Sequence, residues 1–142
     1  MRMKGKKMAS IRKEILIEAD CEEVWAAARD VGALHERLAS GFVVDTRMEG
    51  DDRIVTFANG LVAREAIVAI DDAARRLAWT VVGGRTSHYA ASFQAFADGE
   101  GRTRALWIVD LLPNELAGPI GAMVEQGSAA IKRTLERRNA HA

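Results

Sequence analysis

A histidine and a carboxylate near the open ends of two neighbouring segments are the residues of this chain best suited to acid–base chemistry. His88 begins a segment of strand-like residues, 87–97, and Asp110 lies near the end of the next, 103–112. The break between them, Asp98-Gly99-Glu100-Gly101, has the composition of a hairpin turn. If Ala97 faces Thr103, facing residue numbers sum to 200, and His88, Ser92 and Gln94 share a face with Arg104, Leu106, Ile108 and Asp110. His88 and Asp110 are then diagonal neighbours. A carboxylate beside an imidazole fixes its tautomer and raises its pKa, as in a general acid–base pair. Such a pair would serve aldol-type cyclisation or loss of water from a carbonyl compound. The plainer alternative is a surface pair with only a structural effect. Tyr89, Phe93, Trp107, Val109 and Leu111 share the other face, the better candidate for the interior, although a one-residue slip would exchange the two sets.

Arg64 and Glu65 interrupt the apolar run from Leu61 to Ile70. Adjacent strand residues point to opposite sides, so one of the two charges faces inward. Glu65 has the apolar neighbours Ala63 and Ile67 and Arg64 has Val62 and Ala66, so the sequence does not choose between them, and the expected lining includes Glu65. An inward charge is expensive unless paired, and it would suit a polar group on a ligand. Trp79, Trp107 and Tyr89 could stack on a flat molecule, with Phe57 and Phe93 as apolar wall, although each also suits an ordinary core. Cys21 stands at a helix start, which can lower a thiol pKa, but no histidine is beside it in sequence. His35, His88 and His141 lack paired ligand spacing, so no metal is expected, and no cofactor motif is present. Gly99 and Gly101 lead into a strand rather than a phosphate-binding helix, and no GxSxG elbow occurs.

The totals bound these readings. The 142 residues suit one domain, and Lys+Arg and Asp+Glu both number 20, which gives no reason to expect nucleic acid as a partner. No apolar stretch is long enough to span a bilayer. The single cysteine rules out an internal disulfide, and with no secretory pattern at the start a cytoplasmic location is expected. Arg2, Lys4, Lys6 and Lys7 read as a disordered basic arm, 1–10, and 139–142 as a tail. Lys132, Arg133, Arg137 and Arg138 read as a solvated helix face.

The elements follow from periodicity. A first strand over 11–18 leads to a helix over 21–31, capped by Asp20 with Glu22 and Glu23 in its first turn. A second short helix carrying Leu34 and Leu38 ends before Gly41. Six strands follow at 42–49, 52–58, 61–71, 75–83, 87–97 and 103–112. The breaks between them are short and rich in Gly, Asn or Asp, as in hairpins, so the sheet is an antiparallel meander. Beyond Pro113, apolar residues spaced by three and four mark an amphipathic helix over 115–138. Its Gly118, Gly121 and Gly127 each cost roughly 1 kcal/mol relative to Ala, which points to close packing or to room for a guest. Pro119 is tolerable only near the first turn or at a kink.

This order, with Arg75-Arg76-Leu77-Ala78-Trp79, Ser87-His88-Tyr89-Ala90-Ala91-Ser92 and Leu106 to Pro113, resembles the START-like, helix-grip (SRPBCC, Bet v 1-like) superfamily, in its bacterial polyketide cyclase/dehydrase-like branch. The resemblance implies an α+β fold over 11–138, a curved antiparallel sheet of about seven strands (β-α-α-β6-α) gripping the long C-terminal helix. It also implies a cavity between sheet and helix. Small strand residues, Ala63, Ala66, Ala69, Ala78, Ala90, Ala91, Ala95 and Ala105, are compatible with such a space or with close packing. The expected lining is Phe57, Glu65, Trp79, Tyr89, Phe93 and Trp107 from the strands and Ile120, Met123 and Val124 from the helix. The function expected is binding of a small apolar or aromatic molecule by a carrier, sensor or sequestering protein. The alternatives are a cyclase or dehydratase using His88 and Asp110, and, more weakly, a protein-interaction module. Either a monomer or a homodimer is compatible with the sequence.

Overall fold

The change of period at Phe42 and again at Pro113 separates sheet from helices in the folded chain. The computed structural model describes residues 9–140. β1 (Ala9–Ile17) leads to α1 (Cys21–Arg29), a 3-10 turn at Val31–Ala33 and a turn of π-helix at Leu34–Leu38. β2 (Val43–Glu49), β3 (Asp52–Phe57), β4 (Val62–Asp71), β5 (Arg76–Val82), β6 (His88–Ala97) and β7 (Thr103–Leu112) follow. A 3-10 turn at Asn114–Leu116 then opens α2 (Ala117–Ala140). The strands form one antiparallel sheet in the order β1-β7-β6-β5-β4-β3-β2, so β2 to β7 are a meander and β1 pairs with β7. This is the helix-grip architecture.

The pairing of β6 with β7 keeps the expected sum, from His88 opposite Leu112 to Ala97 opposite Thr103. Two bulges, between Val43 and Asp45 in β2 and between Ile67 and Ala69 in β4, add local twist on the half of the sheet that must bend round α2. The boundaries differ in small ways. β1 starts at Ala9, which pairs with Leu111, so residues 9 and 10 of the expected arm belong to the sheet; Arg2, Lys4, Lys6 and Lys7 lie outside the described residues. β5 starts at Arg76 because Arg75 adopts a left-handed φ of 52° in the preceding turn. Pro119 is the third residue of α2, where its missing N–H removes no helical bond.

Apolar burial binds the layers. Ile15 and Ile17 of β1, Val24 and Trp25 of α1, Val109 and Leu111 of β7, and Val124, Ile131 and Leu135 of α2 belong to one buried cluster. Polar contacts fix the ends. Trp25 Nε1 and Arg29 Nε both donate to Asp72 Oδ1, at 2.9 and 2.7 Å, tying the β4–β5 turn to α1. The buried Thr103 hydroxyl donates to the Ala19 carbonyl at 2.8 Å. Lys132 Nζ donates to the Leu16 carbonyl at 2.7 Å, holding α2 against β1, and Thr134 Oγ1 accepts the Ser40 N–H at 3.2 Å. Lys132, Arg133, Arg137 and Arg138 are all exposed, as a solvated face requires.

Candidate functional site

The helix glycines show how sheet and helix meet. A Cβ on Gly127 would lie 2.9 Å from two atoms of the Trp107 ring and 3.1 Å from Phe42, so Gly127 is a seat for that ring. Gly121 has only Ile11 nearby, at 3.9 Å, and Gly118 has nothing within 4 Å. Packing is thus tight at Gly127, whereas Gly118 faces solvent. A cavity of about 290 Å³, bordered by α2 from Pro119 to Ile131, remains between helix and sheet, near the lower end of the range for ligand pockets.

Phe57, Glu65, Trp79, Tyr89, Phe93, Trp107, Ile120, Met123 and Val124 all line it. The inward-facing strand residues follow from register. Leu77 faces Phe93 and Phe93 faces Trp107; Ile67 faces Trp79, Trp79 faces Ala91, and Ala91 faces Val109. Nearer the open end, Arg53 faces Glu65, Glu65 faces Val81, and Tyr89 faces Leu111. The alanines behave differently from the lining. Of those named above only Ala63 borders the cavity, whereas Ala91, Ala95 and Ala105 are buried in the solid core. Small strand residues here mainly permit close packing.

The inward charge is Glu65, and its partner is Arg53. Arg53 Nε donates to Glu65 Oε1 at 2.7 Å, with side chains only 3% and 8% exposed. Two buried charges are tolerable because they neutralise each other and share a charge-assisted hydrogen bond. The guanidinium also lies 5.3 Å from the Trp79 ring centroid and donates weakly to the Val31 carbonyl at 3.4 Å. Arg64, by contrast, points outward and bonds Asp52 and Glu49, at 2.8 and 2.9 Å. Tyr89 borders the same pair; burial, then the Glu65 charge, push its pKa well above the ordinary value, so the hydroxyl stays a hydrogen-bond donor.

The two residues of the expected acid–base pair lie away from the cavity. His88 and Asp110 lie on the outer face of the sheet, and neither lines the cavity. Asp110 accepts the Ser10 hydroxyl at 2.7 Å, and no hydrogen bond links it to His88. The diagonal was anticipated by the register, but it falls on the side away from α2. Burial raises the Cys21 thiol pKa, so no reactive thiolate is favoured there. Among the described residues no cluster of His, Cys, Asp and Glu could hold a metal ion, and no helix is long and apolar enough to cross a membrane.

The sequence reading missed Arg53, although a signal for it existed: strands folded about Asn59-Gly60 place residues 53 and 65 opposite one another. It also missed Leu34, Leu38 and Phe42, which line the cavity from the segment between α1 and β2, and the rim residues Leu61, Val62, Gly84, Arg85 and Pro119. These lie in turns or at element ends, where periodicity assigns no face.

A family model described as polyketide cyclase / dehydrase and lipid transport matches residues 8–142, and the chain belongs to that family. No curated protein matches the sequence. Among solved structures, the protein XoxI from Bacillus cereus superposes with a TM-score of 0.80 at 16% identity, over 90% of this chain and 96% of that one. A Thermobifida fusca protein gives 0.75 at 20% identity, over 94% and 95%. Norcoclaurine synthase from Thalictrum flavum, solved in complex with dopamine and hydroxybenzaldehyde, gives 0.61 at 15% identity, over 88% and 87%. At these identities the likeness establishes the shared fold.

Proposed function

We propose that the protein binds a small, largely apolar or aromatic molecule between sheet and α2, as a carrier, sensor or sequestering protein. The observation that carries this reading is the cavity itself. Phe57, Trp79, Phe93 and Trp107 supply aromatic wall, and Ile120, Met123 and Val124 supply aliphatic wall. Its buried charges, Arg53 and Glu65, compensate each other, so an uncharged apolar body meets no bare ion inside. The fold of norcoclaurine synthase, whose structure holds two small aromatic molecules, supports the same size and class of guest.

A second reading has one specific support. Tyr89 borders the cavity with its hydroxyl protonated, so a cyclase- or dehydratase-like reaction would set its substrate carbonyl against that hydroxyl as a hydrogen-bond donor, beside the Arg53–Glu65 pair, rather than against His88 and Asp110. Native mass spectrometry of the purified protein, followed by titration with an uncharged fluorescent apolar probe, tests the binding reading. A retained small molecule or saturable one-to-one probe binding, weakened tenfold or more by Val124→Trp, is expected. A well-folded wild-type protein that retains nothing and enhances no probe fluorescence overturns it.

A further inference from the structure

The cavity has a rim, marked by the lining residues that are themselves exposed. Leu61 and Val62 at the start of β4 are 55% and 60% exposed, and Gly84, Arg85 and Pro119 are exposed beside them. Of the charged side chains lining the cavity, Arg53 and Glu65 are committed to each other. Arg85 has no hydrogen bond or ion pair with any other described residue. It stands in the β5–β6 turn behind Gly83 and Gly84, whose φ values of 73° and 77° carry the chain round the opening. The backbone N–H groups of Arg85 and Thr86 meet no backbone acceptor, and Thr86 also lines the cavity. One side of an otherwise apolar opening therefore carries an uncompensated guanidinium and a hydroxyl, and the one carboxylate lining the cavity, Glu65, is already held by Arg53.

From this we infer that the ligand is an amphiphilic anion: an apolar or aromatic body inside the cavity, and a carboxylate or similar oxyanion at the rim on Arg85 and the hydroxyl beside it. The inference rests on the binding reading above and names the class of guest. Arg matches an oxyanion with two parallel N–H donors, and the apolar lining gives no competing place for the charge. Orientation follows from the same asymmetry, with the ring or chain on Trp79, Phe93 and Trp107 and the anionic group outward.

The test compares isosteres. A naphthylacetate and the matching naphthylacetamide differ in charge and hardly in shape, and each is titrated against a bound uncharged fluorescent probe. The wild type is expected to bind the carboxylate at least tenfold more tightly, a preference that shrinks as ionic strength rises because the rim faces solvent. Arg85→Gln is expected to bring the ratio close to one, and Arg85→Lys to retain part of it. Equal affinities in the wild type, or a preference that survives Arg85→Gln, overturn the inference while leaving the cavity reading intact. If neither naphthyl compound nor the probe enters, the binding reading itself fails and this one with it. If Arg85 is instead needed for retention on vesicles of phosphatidylcholine with phosphatidylserine, with no carboxylate preference in solution, the residue serves a surface and the inference is wrong.

Discussion

Breaking the Arg53–Glu65 pair one residue at a time should destabilise the protein far more than removing both. The two side chains are joined at 2.7 Å, 3% and 8% exposed, and have lost nearly all their hydration. Arg53→Met leaves the Glu65 carboxylate beside an apolar cavity without its guanidinium, at a cost of about 3–5 kcal/mol. Some water can reach the bared carboxylate through the cavity, which sets the expectation near the lower bound. Arg53→Met also surrenders the guanidinium contact with Trp79, worth about 1 kcal/mol. Glu65→Leu leaves the guanidinium uncompensated and should cost a similar amount. The double variant Arg53→Met/Glu65→Leu exposes no bare charge and should return to within about 1–2 kcal/mol of wild type. With a urea m-value of about 1–3 kcal/mol/M, each single change lowers the unfolding midpoint by roughly 1–3 M, well outside error. Equilibrium urea unfolding of the four proteins, followed by tryptophan fluorescence and far-ultraviolet dichroism, gives the coupling energy directly. The reasoning is refuted if either single variant costs less than about 1 kcal/mol, or if the double variant loses the sum of the two.

Tyr89 is the only tyrosine in the chain, so tyrosinate absorbance reports it alone. Its folded-state pKa is raised by burial and then by Glu65; below pH of about 10 both folded and unfolded states hold the proton, so no pH dependence arises from it there. As pH rises further the unfolded phenol ionises first, stability falls, and phenolate should emerge late or together with unfolding; ordinary titration near pH of about 10 in the folded protein contradicts this. Gly127→Ala forces the Trp107 ring toward the cavity, and should weaken apolar-probe binding about tenfold while costing about 1–3 kcal/mol in thermal unfolding, offset in part by better helix propensity. Unchanged probe affinity would show that the ring yields elsewhere. His88→Ala on the exposed outer face should leave probe affinity unaltered and stability within about 0.5 kcal/mol, and a large loss of binding would return His88 to the site.

Different physical signals account for what the sequence disclosed and what it withheld. Strand turns were legible because the glycines in them have a conformational reason to be there; Gly50, Gly60, Gly83, Gly84, Gly99 and Gly101 all adopt positive φ. Once the Asp98–Gly101 turn fixed the β6–β7 register, alternation placed Tyr89, Phe93 and Trp107 together on the inner face. Chemistry was less legible than shape. The proximity of His88 and Asp110 was a sound inference from register, yet proximity on a sheet does not choose between cavity and solvent, and the apolar opposite face had already chosen. The charge pair inside the site is the converse case. Arg53 sits among Ile54 and Val55 in a short strand whose alternation is easily read as surface, and only its position opposite Glu65 reveals why a cation is tolerated there.

That contrast bears on how the site works. Apart from Leu34, Leu38 and Phe42, the residues that surround the inner cavity come from strands and a helix whose faces are set by period, so the shape of the apolar chamber is largely prescribed by patterning. The groups at its opening come from Leu61–Val62, Gly84–Thr86 and Pro119, segments where no period applies and substitutions disturb little packing. Selection for a different guest could therefore act on the opening without unsettling Trp79, Phe93 or the Arg53–Glu65 pair beneath it. On this view the inner wall confers a general affinity for apolar bodies, and discrimination among them resides at the rim. Swapping Arg85 should then alter which ligand binds more than whether the protein folds.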